Sequence, residues 1–162
     1  MVDVIDTAKV TQRRQLHFDS LDDILADVER LAQCRHLRTL GNWSAGQVLQ
    51  HLAIVMNKSI DGFANRPPAV IRFILRLIFR RRFLTKTMSA GFKLPAKAHA
   101  ELVPPAATTL EEGLQGVRRA IKRLKTETKR APNAVLGPLS IDEWNQLHCR
   151  HSELHLSFLV PE

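Results

Sequence analysis

Cysteine is scarce in this chain of 162 residues: only Cys34 and Cys149 occur. Two cysteines make no disulfide framework, so the fold must rest on its core, and a reducing, cytoplasmic setting is expected. The opening MVDVIDTAKVTQRRQ has early acids and no apolar centre, which excludes a signal peptide reading of it. Long uncharged apolar runs are missing as well. The most apolar stretch, from Ala69 to Leu84, is broken by Arg72, Arg76 and Arg80. A membrane span needs roughly 20 mostly uncharged residues, so this stretch is not read as one. Acids are absent from Gly62 to Ala100, where nine Lys or Arg stand. Internal repeats, low-complexity tracts and convincing strand patterns are also lacking.

What is present suits one domain spanning residues 1–162. Apolar residues make up 44% and charged residues 25%, ordinary for a globular protein. A chain of this size buries about two-thirds of the surface it exposes when unfolded. Net charge is +8. A second basic cluster runs from Arg118 to Arg130, and acids gather at Asp19, Asp22, Asp23, Asp27 and Glu29 and at Glu111 and Glu112. A basic surface suits nucleic acid, anionic lipid or an anionic substrate. It is equally a solvated helix face, and that reading is preferred here. Nucleic acid and membrane partners are disfavoured.

Four segments carry both helix punctuation and helix periodicity. The first opens at Ser20 with Asp23, followed by Leu21, Ile24, Leu25, Val28 and Leu31. The second opens at Ser44 with Gln47 in the capping-box position and runs to about Phe63. The third opens at Thr108 or Thr109, carries Leu110, Leu114, Val117, Ile121 and Leu124, and is stopped before Pro132. The fourth opens at Ser140 with Glu143, after the Gly137-Pro138 turn, and runs to about Leu159. An additional helix is expected from Ala69 to Arg82, with Pro67 and Pro68 at its start. Residues from Gly91 to Ala107 read as loop.

Short loops make helices one and two, and three and four, antiparallel pairs. The long crossover, about 65–107, lets helices two and three run parallel. The expected fold is therefore all-α, an up-down-down-up four-helix bundle with an extra helix in the crossover. That extra helix needs cover. Ile71, Phe73, Ile74, Leu75, Leu77, Ile78 and Phe79 are expected to pack on the bundle or on a second copy, with Arg72, Arg76 and Arg80 outward. A two-fold homodimer is expected, closed two-fold dimers being the commonest soluble oligomers.

Seven histidines occur, at 17, 36, 51, 99, 148, 151 and 155. Trp144, Leu147, His148, His151, Leu154, His155 and Phe158 form one stripe of the last helix. His151 and His155, four apart, project from one face one turn apart. His51 shares its face with Val48, Leu52 and Val55. A lone histidine on such a face is commonly a hydrogen-bonded core residue, and His-x-x-x-His alone is a weak signal. Depth brings them together. His51 lies roughly 10 Å along its helix, and the other two roughly 16 and 22 Å along theirs. Antiparallel helices set His51 level with the pair; parallel helices miss by roughly 9 Å. Three imidazoles would then meet at mid-bundle with a coordination position left open. They suit zinc, nickel, iron or copper; a divalent ion, zinc or nickel first, is expected.

At these residues the chain resembles the DinB-like superfamily, which includes YfiT-like metal-dependent hydrolases. The matching segments are Asn42-Trp43-Ser44-Ala45-Gly46-Gln47-Val48-Leu49-Gln50-His51-Leu52, Leu136 to Trp144, and His151-Ser152-Glu153-Leu154-His155. The likeness begins near Gln15 and is nearest to a branch with a basic insertion after helix two. It implies a four-helix bundle, a three-histidine metal site and often a dimer. Activities in the superfamily include transfer with small cellular thiols. A small-molecule substrate, a low-molecular-weight thiol among the choices, is the partner it implies.

Around this site, His148 is too far along the axis to share one metal with His155, about 10 Å, and reads as support or pocket wall beside Trp144. Trp43 and Trp144 read as packing residues. Glu153 points away from the stripe and is expected in solvent. Cys149 lies opposite His151 and is not counted as a ligand. No Ser-His-Asp or Cys-His arrangement competes, and no catalytic residue can be named. A metal-dependent transferase or hydrolase is the first reading, a non-catalytic metal-binding bundle the second, and a basic binder of nucleic acid or membrane surfaces the third.

Overall fold

The computed structural model describes residues 4–91 and 100–162. Five helices organise them: α1 Leu21–Ala32, α2 Ala45–Asp61, α3 Ala69–Thr85, α4 Leu110–Thr126 and α5 Ile141–Leu156. Four of these starts are set by the same device. Ser20, Ser44, Thr109 and Ser140 each accept from the backbone N–H three residues on, and Asp23, Gln47, Glu112 and Glu143 reach back to the cap's own N–H. Two otherwise orphaned donors are satisfied at each helix start. α3 has no side-chain cap; it begins after Pro68, where a fixed φ and a missing N–H cost nothing.

Cross-helix contacts fix the directions. The Cβ that alanine would place at Gly46 falls 2.3 Å from the Thr108 carbonyl oxygen, and that at Gly113 falls 2.7 Å from the Gly46 carbonyl. Farther along, Arg123 grips Asp61 at 2.5 and 2.6 Å. α2 and α4 therefore run parallel, their backbones drawn together at their N-terminal ends by residues without side chains. α1 runs against α4, because Arg118 meets Glu29 while Lys125 meets Asp22. α5 runs against α2, as the histidines below show. The result is the expected up-down-down-up order.

The main core joins Ile24, Val28, Leu31, Leu49, Leu52, Met56, Val117, Ile121 and Leu156, all at most 1% exposed. A satellite cluster under α3 holds Leu136, Trp144 and Leu147, with Phe79, Phe83 and Leu84 packed on it.

Three expectations need correction. Two short strands do form: β1 Leu37–Thr39 pairs antiparallel with β2 Leu159–Pro161, Arg38 opposite Val160. Three residues are too few to show alternation, and only the fold brings these distant segments side by side. Within the expected loop from Gly91 to Ala107, 100–102 belongs to a helical turn, while 92–99 lies outside the described residues, His99 with it.

The third correction concerns α3, whose arginines do not face outward. Arg72, Arg76 and Arg80 are half-buried, as are Leu75 and Phe79, whereas Ile71, Phe73, Ile74, Leu77 and Ile78 are exposed. Arg80 donates from Nε to Glu143 Oε1 at 3.0 Å, which pins that stripe to the start of α5.

Candidate metal centre

α2 and α5 build the site from facing, antiparallel stripes. His51 is 4% exposed, and its Nδ1 stands 2.9 Å from the Leu102 carbonyl oxygen. A carbonyl only accepts, so Nδ1 carries the proton and Nε2 presents a lone pair. That Nε2 lies 3.3 Å from His151 Nε2. The ring centroids of His51 and His155, and of His151 and His155, are 4.5 Å apart. One nitrogen from each of His51, His151 and His155 lies within 4.8 Å of the others.

The donor set fits a metal on two counts. Two imidazole nitrogens bound tetrahedrally at about 2.0–2.1 Å stand roughly 3.4 Å apart, close to the observed 3.3 Å. The rings are also held neutral, the form a metal needs. Burial lowers the pKa of His51 against the opposing pull of the Leu102 carbonyl. Burial and then the neighbouring imidazoles push His151 well below the usual range, and burial with His51 does the same to His155. Three neutral histidines with facing nitrogens need a proton or a cation between them.

Trp43 closes one side of the cluster. Its ring stacks on His155 at 5.8 Å and 14°, and sits 4.8 Å from His51. The sequence marks Trp43 as packing; it packs, but against the two ligand candidates. His151 and His155 are half-buried while His51 is buried, so access from solvent runs past the α5 pair. Two open hollows, one beside Asp19 and Asn145 and one beside Gln50 and Glu111, include none of the three histidines.

His148 stands apart from the triad. Its Nε2 is 3.1 Å from Ser59 Oγ, and that hydroxyl gives its proton to the Met56 carbonyl. The imidazole must therefore donate from Nε2. Its ring stacks on Trp144 at 5.4 Å, and burial, helped by the charge of Arg130, lowers its pKa to about 3. Trp144 is fully buried and donates to the Ala131 carbonyl. Cys149 is buried, with its thiol pushed up to about 11 by that burial.

Glu153 is not in solvent: it is 1% exposed. Its Oε1 accepts the Phe18 N–H at 2.9 Å and pairs with Arg150 at 2.9 Å; Thr87 donates to Oε2. A helical wheel drawn for a four-helix bundle leaves that face open. The strap through residues 14–18 closes it, with Arg14 clamped bidentately on Asp27 and donating to the Leu156 carbonyl. α5 is thus buried on both sides. Sequence reasoning also passed over the Leu102 carbonyl and Ser59, because neither contact has a local signature.

Fold and site define a helical bundle with a three-histidine cluster able to hold a metal ion. The chain belongs to the family described as protein of unknown function (DUF1569), whose family model matches residues 10–162. No curated protein and no solved structure matches it significantly.

Proposed function

We propose that the chain is a metal-dependent enzyme acting on small molecules, with transfer involving a small thiol as the first reaction class and hydrolysis as the second. The convergence of His51, His151 and His155 carries this reading. The DinB-like character of the segments around these histidines supports the choice of thiol chemistry.

Each side chain has a part in it. His51, held by the Leu102 carbonyl, offers Nε2; His151 and His155 offer the other two nitrogens. Their lowered pKa values keep the three rings uncharged at neutral pH, each with one ring nitrogen bare. Trp43 shields one flank from water, which strengthens electrostatic interactions inside. A divalent ion held by these three histidines would supply Lewis acidity and would lower the pKa of a thiol or water that reached it. No residue is assigned the role of general base.

Cobalt substitution tests this reading, since cobalt reports on its ligands in the visible and near ultraviolet. Adding a small thiol at pH 7 should change the spectrum saturably, and His155→Ala should abolish the change. A cobalt spectrum that ignores millimolar thiol, from protein that also fails to speed hydrolysis of activated esters or amides, would make the metal structural.

A further inference from the structure

We propose that the outward face of α3 is an interfacial anchor that docks the bundle on an anionic lipid surface. This inference is independent of the metal reading, and it reverses the sequence-based expectation against a membrane partner, because the apolar side of α3, not its arginine stripe, is the exposed one. Among the described residues, nine large apolar side chains are exposed, and six of them belong to α3: Val70, Ile71, Phe73, Ile74, Leu77 and Ile78. Val70, Phe73, Leu77 and Ile78 are each more than 60% exposed. Single exposed apolar residues are normal; a contiguous group on one helix marks an interaction surface.

The orientation of the helix makes the case. Its arginine stripe is turned toward its own bundle, where Arg80 is bound to Glu143. The apolar stripe is left outside, its six residues 47–71% exposed. Exposed cations stand at the ends of the patch, Arg66 before it and Arg81, Arg82 and Lys86 after it; Arg66 and Arg82 donate only to neutral groups, the Phe63 carbonyl and the Ser89 hydroxyl. No acid occurs from Gly62 to Ala100. An apolar face flanked by cations complements acyl chains beneath anionic headgroups, and the arginine stems can lie along the boundary with their charges in the headgroup layer. No described helix is long and apolar enough to cross a membrane, so the arrangement is parallel to the surface.

Charge argues against the rival occupants. A two-fold pairing of this face would bring two sets of arginines together with no acid in the segment to neutralise them. A nucleic acid would meet mostly isoleucine, leucine and phenylalanine where phosphates need cations.

Vesicle flotation of the full-length protein tests the proposal. Vesicles of phosphatidylcholine with one-quarter phosphatidylglycerol are compared with phosphatidylcholine alone. The wild type should float with the anionic vesicles only, and less at high salt. The double substitution F73E/L77E should lose the vesicles while keeping the wild-type thermal melt, because both side chains are already in water. R81Q/R82Q should weaken binding about tenfold or more. Absence of flotation, or equal flotation with neutral vesicles, overturns the proposal. So does a micromolar dimer that F73E/L77E splits, which would assign the face to a second copy, and so does preferential binding to duplex DNA.

Discussion

α5 and α3 both mix apolar and charged residues, and they end in opposite situations. In α5 the polar groups around the site have named partners, His148 with Ser59, Arg150 with Phe18 and Glu153, and His151 facing His51, while the buried Ser152 hydroxyl has none among the described residues. In α3 no side chain is buried, and the greasier face points outward. The contrast teaches that hydropathy alone does not orient a helix. α5 is locked from both sides by polar contacts. α3 offers an apolar face and an arginine stripe, and its roll about its own axis is settled by one ion pair, Arg80 with Glu143, and by three residues seated on Trp144's cluster.

The comparison can be broken most severely at Glu153. Glu153→Leu would leave Arg150 buried without its counter-charge, a loss of about 3–5 kcal/mol, seen as a large fall in the urea midpoint. An unchanged midpoint would mean that the α5 network holds nothing together. Gly46→Ala comes next. The new Cβ would meet backbone, not a flexible side chain, so about 1–3 kcal/mol should be lost as α2 and α4 part. A crystal structure of that variant with an unmoved α2–α4 spacing would contradict this.

How much of this was legible beforehand follows the range of the interactions. The four capping boxes are written within four residues each, and the helix starts are read correctly. The histidine convergence needs only helix direction and depth, so it too is readable at the level of which residues meet. Glu153's burial, the Leu102 carbonyl on His51 and the β1–β2 pair depend on strands and straps that arrive from elsewhere in the chain. The roll of α3 is missed because its arginine stripe reads as the solvent side, and the Glu143 that turns it inward lies 63 residues away in the chain.

pH offers a gentler probe. His148 has a folded pKa of about 3, below the ordinary value near 6.5 of an unfolded chain. As pH falls through 6.5 the unfolded chain takes up a proton that the folded one refuses. The stability is thus fully present above 6.5 and declines toward pH 3, by about 1.4 kcal/mol per pH unit from this residue. Denaturant titrations at pH 7.5, 6 and 5 should show the slope, and a flat profile would mean that His148 is reached by solvent. The smallest effect belongs to the outer face of α3. Ile74→Ser should change stability by less than about 0.5 kcal/mol, and a loss above 2 kcal/mol would show that the face is covered after all.

The central claim, that His51, His151 and His155 form one metal site, is tested most directly by metal content. Protein purified without a nickel column should carry, or take up from a zinc buffer, one divalent ion per chain. His155→Ala should lower the affinity more than 100-fold, beyond the roughly 10–100-fold expected for a supporting residue, while His148→Ala should stay within that smaller range. Wild-type protein that binds no zinc, nickel or cobalt at neutral pH, with His151 Nε2 and His51 Nε2 at hydrogen-bond distance and a neutron structure placing a proton between them, would contradict the account.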